Sequence, residues 1–164
     1  MSFAKLLTRI KSIGRTDGAS MVELALVVGF FGPLLLLGTA ELSILVYDSI
    51  ELADAAHAGA DYASQYYIAN SNTALPAQSQ VTTAVTNDAP ELVGMLKSGT
   101  SLTATISTGC GTGSASAGNT VPTCNSGTLP YVKVTATATV VPIFQGFRLS
   151  SVTMTSNATV SLVN

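Results

Sequence analysis

The residues of this chain that could carry catalytic chemistry are few, and most lie in one short stretch. His57 is the only histidine, and Asp54 and Asp61 lie three residues before it and four residues after it. On a helix this spacing places the three side chains on one face, where they could form a His–Asp dyad or hold a metal ion. The same spacing is typical of an exposed polar helix face, and that is the interpretation we favour.

Other chemical motifs are weak in this sequence. No serine stands in a nucleophile-elbow context. The glycine-rich residues 109–113 lack the lysine and the following helix of a phosphate loop, which favours a flexible turn. Cys110 and Cys124 lack a second pair of zinc ligands, so they form either a disulfide or two free thiols. We expect no enzymatic activity, no metal and no cofactor, and we expect the disulfide if this part is exported.

The composition of the 164 residues excludes several classes of protein. Only 10% of the residues are charged while 47% are apolar, and mean hydropathy is +0.45. These values disfavour both intrinsic disorder and a soluble enzyme with an ordinary charged surface. Residues 1–18 carry a net charge of +3 and the remainder a net charge of −5, with only three cations. Nucleic acid is therefore not an expected partner.

An uncharged apolar segment follows the basic amino terminus. The seventeen residues 24–40 would form a helix about 25 Å long, and residues 42–47 extend it enough to cross a bilayer. Because the basic residues lie on one side only, the amino terminus is expected in the cytoplasm and the rest outside. We predict a leader at 1–18, a transmembrane half-helix at 19–47, and an extracytoplasmic domain at 48–164.

Three explanations of this segment remain open on the residues alone. It could be an ordinary signal anchor, or a secretory signal that is cut after Ala40, where Gly38 and Ala40 supply small residues. The third explanation rests on Gly18, which ends the basic leader, and on Glu23 five residues later. An acid in an apolar helix costs up to roughly 3 kcal/mol at the bilayer centre, which suggests a partner for Glu23. Alternatively, Glu23 simply reaches the membrane interface.

Two motifs resemble those of pilus proteins. Gly18 followed by Glu23 resembles the processing site of type IV prepilins, and residues 55–63, AAHAGADYA, resemble the alanine-rich block of TadE-like proteins. These are minor pilins or pseudopilins of tight-adherence pilus systems, and the order of features matches over residues 18–64. Leu24 and His57 stand where this family often has phenylalanine and arginine.

The resemblance implies a function in assembly. A prepilin peptidase would cut between Gly18 and Ala19, and Glu23 would pair with the new amino group of a neighbouring subunit. Implied partners are that peptidase, other pilins or minor pilins, and the inner-membrane pilus assembly platform. The implied location is the bacterial cytoplasmic membrane, with the domain in the periplasm or at the cell surface. Whether the chain is incorporated into the pilus is left open. The alternative is a signal-anchored or secreted extracytoplasmic binding domain with no role in a pilus.

Small residues form a stripe along the outer half of the predicted helix. They allow close packing either against other subunits or against the protein's own sheet, and both alternatives are open. The stripe comprises Ser49, Ala56, Gly59, Ala60 and Ala63.

The remaining sequence predicts a small α+β domain. Residues 70–73 should end the long helix, and two short helices follow, the second capped by Asp88 and starting near Pro90. Apolar and polar residues then alternate within 102–107, 132–140 and 152–162, which is typical of half-buried antiparallel strands. We therefore predict a pilin-like α+β fold with a long amino-terminal helix packed on three or four strands.

Overall fold

This computed structural model describes residues 3–96, 101–141 and 151–162. The chain divides into two compact units, Met1–Ser43 and Ile44–Asn164.

The long helix α1 spans Phe3–Ala69. Beyond it, Ser71 and Asn72 have φ angles of 54° and 61°, in the left-handed region that a right-handed helix cannot continue. The Asn72 N–H donates to the carbonyl oxygen of Tyr67 at 3.0 Å, which satisfies a carbonyl of the last helical turn. The predicted helix end at residues 70–73 is confirmed.

Two short helices follow, α2 (Gln78–Asp88) and α3 (Pro90–Met95). Pro90 is in the first turn of α3 as predicted, but the prediction that Asp88 caps this helix is wrong. Asp88 is the last residue of α2, and Ala89 occupies the cap position. Ala89 has no side-chain acceptor, and the Leu92 N–H, at the third position after this cap, donates instead to Glu51 Oε1 of α1 at 3.1 Å. A bond from a distant part of the chain therefore replaces a local cap.

The sheet is antiparallel, with the strand order β2-β1-β3-β4. Its strands are β1 (Thr103–Cys110), β2 (Ser116–Ala117), β3 (Pro130–Val140) and β4 (Val152–Ser161). The pairing of β3 with β4 is continuous, from Tyr131 opposite Ser161 to Val140 opposite Val152. The alternation in the sequence predicts the three longer strands but not the two-residue β2.

One face of the sheet and one face of α1 enclose the core of the second unit. Alternate residues of β3 are buried, because successive side chains of a strand point to opposite faces. The predicted α+β, pilin-like layout is confirmed. The largest fully buried core side chains are Leu52, Val81, Val85, Leu92, Val132, Val134 and Val140.

Candidate functional site

The first part of the candidate site is the segment of α1 that contains Gly18, Ala19 and Glu23. Glu23 is exposed, and the large apolar side chains of residues 21–37 are 40% to 76% exposed. A continuous apolar surface of this kind is unfavourable in water and marks contact with lipid or protein. Among the described residues, one helix is long and apolar enough to cross a membrane, and it is the part of α1 from Ser20 to Ala69.

The stripe of small residues separates into two groups in the structure. Ala56, Gly59, Ala60 and Ala63 are buried inside the second unit. Ser49 is exposed, and its hydroxyl donates to the Val46 carbonyl oxygen of the same helix at 2.7 Å. Packing on the protein's own domain therefore accounts for the four buried members, and Ser49 does not share their environment.

Gly59 is the point of closest approach between α1 and its neighbours. A Cβ atom placed on Gly59 would lie 2.6 Å from Val85 Cγ2 of α2 and 3.2 Å from Val134 Cγ1 of β3. Both distances are shorter than normal carbon contacts, so only glycine fits without movement of the neighbours. The small residue at this position allows α1 to approach α2 and the sheet at once.

Two carboxylates outside the motifs described above lie on the inward side of α1. Asp48 is only 2% exposed. Glu51 Oε1 accepts the Leu92 N–H, whereas its Oε2 is buried without a hydrogen-bond partner among the described residues. The neighbouring Tyr47 hydroxyl donates to Glu91 Oε2 at 3.1 Å. A sequence signal existed, because Asp48 lies four residues before the core residue Leu52 and hence on the same helix face.

The environment of Asp48 favours its neutral form. Burial, and to a lesser extent the negative charge of Glu51, raise the pKa of the Asp48 carboxyl. The folded chain therefore keeps this proton at pH values where the unfolded chain has lost it. The resulting stabilisation is fully present below the ordinary aspartate pKa of about 4 and is lost as the pH rises through the raised pKa.

Replacing Asp48 with asparagine is expected to stabilise the second unit by about 1 kcal/mol at neutral pH, because it removes a buried charge that has no cationic partner among the described residues. We expect its unfolding temperature to fall less than that of the unmodified chain as the pH rises above the ordinary aspartate pKa of about 4. The measurement is thermal unfolding of the full chain in detergent, followed by circular dichroism. Asp54→Asn is the matched control, since Asp54 is exposed, and it should leave both quantities unchanged. Equal behaviour of the two variants would contradict the prediction.

Asp54, His57 and Asp61 all lie on the exposed side of α1. Among the described residues, no group of three or more histidine, cysteine, aspartate or glutamate side chains has the geometry of a metal site. The three side chains lie along the exposed side of the helix.

Cys110 and Cys124 form a disulfide, which confirms the first of the two alternatives for these residues. Cys110 is the last residue of β1, and its carbonyl oxygen accepts the Gly113 N–H at 3.1 Å in a tight turn. The Tyr131 hydroxyl donates to the Gly113 carbonyl oxygen at 2.6 Å. Residues 109 and 110 thus end β1, and residues 111–113 form a turn that is tied to the sheet.

These features define the class of protein to which the chain belongs. Proteins of this class have a pilin-like α+β fold and one amino-terminal apolar helix that suits single-pass anchoring in a membrane. Residues 18–61 match the model of the TadE-like protein family, which confirms the resemblance found in the sequence. The match begins at Gly18 and contains Glu23. No curated protein and no solved structure gave a match.

Proposed function

We propose that this chain is a structural minor pilin or pseudopilin needed for assembly of a tight-adherence type IV pilus. The observation that carries the proposal is the TadE-like match over residues 18–61, whose first residue is Gly18. A prepilin peptidase would cut after Gly18, so that Ala19 becomes the amino terminus and the apolar helix stays attached to the domain.

The position of Glu23 supports an assembly function. After such a cut it is the fifth residue of the chain, just before an apolar segment without charge. A carboxylate in lipid is unfavourable unless it is paired, and the new amino group of Ala19 in a neighbouring subunit is a suitable partner. If the chain were a signal anchor with no role in pilus assembly, neither Gly18 nor Glu23 would have a function.

The charge distribution supports an orientation. The net charge of +3 in residues 1–18 favours an amino terminus in the cytoplasm, with the second unit in the periplasm or at the cell surface. The disulfide is consistent with an oxidising compartment. In this arrangement the partners are the prepilin peptidase, other pilins and the inner-membrane assembly platform.

The test is intact mass and amino-terminal sequencing of the protein from its native membrane, with and without the prepilin peptidase. We expect a start at Ala19 that depends on the peptidase. A start at Glu41 would indicate a secreted domain, and a start at Met1 or Ser2 a plain membrane anchor. Either of these results would overturn the proposal.

A further inference from the structure

Two surfaces of the second unit have no role in the function proposed above. The inward faces of α1 and of the sheet meet in one core, so their outer faces point in opposite directions. We call these the outer helix stripe, formed by exposed residues between 50 and 68 of α1, and the outer sheet face, formed by the outward residues of β1, β3 and β4 together with Leu129, which directly precedes β3.

The outer helix stripe is acidic in its middle and apolar at its ends. Ile50 and Ile68 are 55% and 64% exposed, although both are large apolar side chains. Asp54 and Asp61 are exposed between them, and neither forms an ion pair with another described residue. The stripe comprises Ile50, Asp54, His57, Asp61, Gln65 and Ile68.

The outer sheet face is composed of hydroxyl side chains with one charge at its centre. Lys133 of β3 lies opposite Ser107 of β1 and Thr159 of β4, and it is the one charged residue on the described part of this face. No described acid pairs with it. Leu129, four residues before Lys133, is a large apolar side chain that is 56% exposed.

The spacing of charge and apolar side chain is similar on the two surfaces. Asp61 and Ile68 are separated by about 10 Å along the helix at the usual rise per residue. Lys133 and Leu129 are separated by at most about 13 Å along an extended chain. An acid and an isoleucine on one surface can therefore face a lysine and a leucine on the other.

We propose that the outer helix stripe of one chain docks on the outer sheet face of a second copy, with Asp61 against Lys133 and Ile68 against Leu129. A second copy is the favoured partner because each chain carries both complementary surfaces, one on each side of its domain. Such a head-to-tail contact leaves one surface free at each end, so it can repeat in an open series. The inference deepens the proposed assembly function and rests on it for its setting in a pilus.

The test is disulfide cross-linking between two differently tagged full-length chains that are produced together in the native membrane. One chain carries Leu129→Cys and the other Ile68→Cys, while Cys110 and Cys124 are occupied by their own disulfide. The matched control replaces Ile68→Cys with Gln78→Cys, an exposed position on α2 outside the stripe. We expect a mixed dimer with Ile68→Cys and only background with Gln78→Cys.

The charge contact is tested in the same assay. Lys133→Glu in the first chain should lower the mixed-dimer yield roughly threefold to tenfold, because it places like charges opposite one another. Asp61→Lys in the second chain should restore the yield, and this rescue would also show that both variants fold. A yield no higher than the Gln78→Cys control, or one that does not change with Lys133→Glu, would overturn the proposed contact.

Amino-terminal sequencing of the same samples separates this inference from the proposed function. A start at Ala19 without a specific cross-link would overturn the contact alone. A specific cross-link in chains that begin at Met1 or Ser2 would support the contact and overturn the pilin assignment.

Discussion

Replacement of Gly59 with leucine is expected to prevent the second unit from reaching its native packing. The first atom of any side chain at this position would lie 2.6 Å from Val85 Cγ2 and 3.2 Å from Val134 Cγ1. Valine side chains are stiff about χ1, so neither neighbour can turn aside at low cost. Overpacking of a core commonly costs 1–3 kcal/mol, and a whole leucine inserted between α1, α2 and β3 should cost about 3 kcal/mol or more.

Two opposing effects act when Gly59 is replaced with alanine. Alanine favours a helix interior over glycine by about 1 kcal/mol, whereas the clash with Val85 and Val134 opposes it. We expect a net destabilisation by Gly59→Ala of about 1 kcal/mol. Removing the nearest obstacle in a Gly59→Ala and Val85→Ala double variant should make the two changes less than additive.

These variants are compared by thermal unfolding of the full chain in detergent. Gly94→Ala is the matched control, because a Cβ atom on this helical glycine would meet nothing within 4 Å. It should be neutral or slightly stabilising. If Gly59→Leu unfolds at the same temperature as the unmodified chain, the close packing of α1 against α2 and β3 is wrong.

Replacement of Glu23 with alanine is expected to abolish or strongly reduce pilus assembly without reducing membrane insertion. Insertion should be equal or better, because a carboxylate that costs up to roughly 3 kcal/mol in the bilayer is removed. Assembly should fail because the Ala19 amine of the neighbouring subunit loses its partner. The measurements are the amount of chain in the membrane fraction and the amount of pilus sheared from cells.

A second variant, Glu23→Gln, separates the effect of the charge from the effect of side-chain size. It keeps the size and the hydrogen-bonding oxygen of the side chain but removes its charge, so a matching defect would assign the effect to charge. Normal pilus yield from Glu23→Ala would contradict the assembly role of this residue, even if cleavage after Gly18 takes place.

Much of the fold follows from local patterns in the sequence. The strands β1, β3 and β4 alternate apolar and polar residues, and residues 70–73 interrupt the long helix with polar side chains. The start of α3 was less predictable, because the Leu92 N–H donates a hydrogen bond to Glu51 of a distant helix and not to a capping side chain nearby in the sequence. No local pattern contains that information. The two-residue β2 likewise depends on its pairing with β1.

The candidate site was predictable to a smaller extent. Gly18 and Glu23 were recognised by resemblance, whereas Asp48 was missed although it lies on the helix face that carries Leu52. Ser49 is exposed although it points in the same helical direction as the buried Tyr67, which lies 18 residues, or five full turns, further along α1. Helix periodicity therefore does not predict the exposure of Ser49.

The contribution of α1 to the core also limits how deeply this helix can enter a bilayer. Residues from Leu52 to Tyr67 include buried core side chains of the second unit, and the same side chains cannot contact lipid while the core is intact. The bond from Leu92 to Glu51 adds a fixed point one residue before Leu52. A force that pulls α1 along its axis and away from the second unit must therefore break this core before the helix can move.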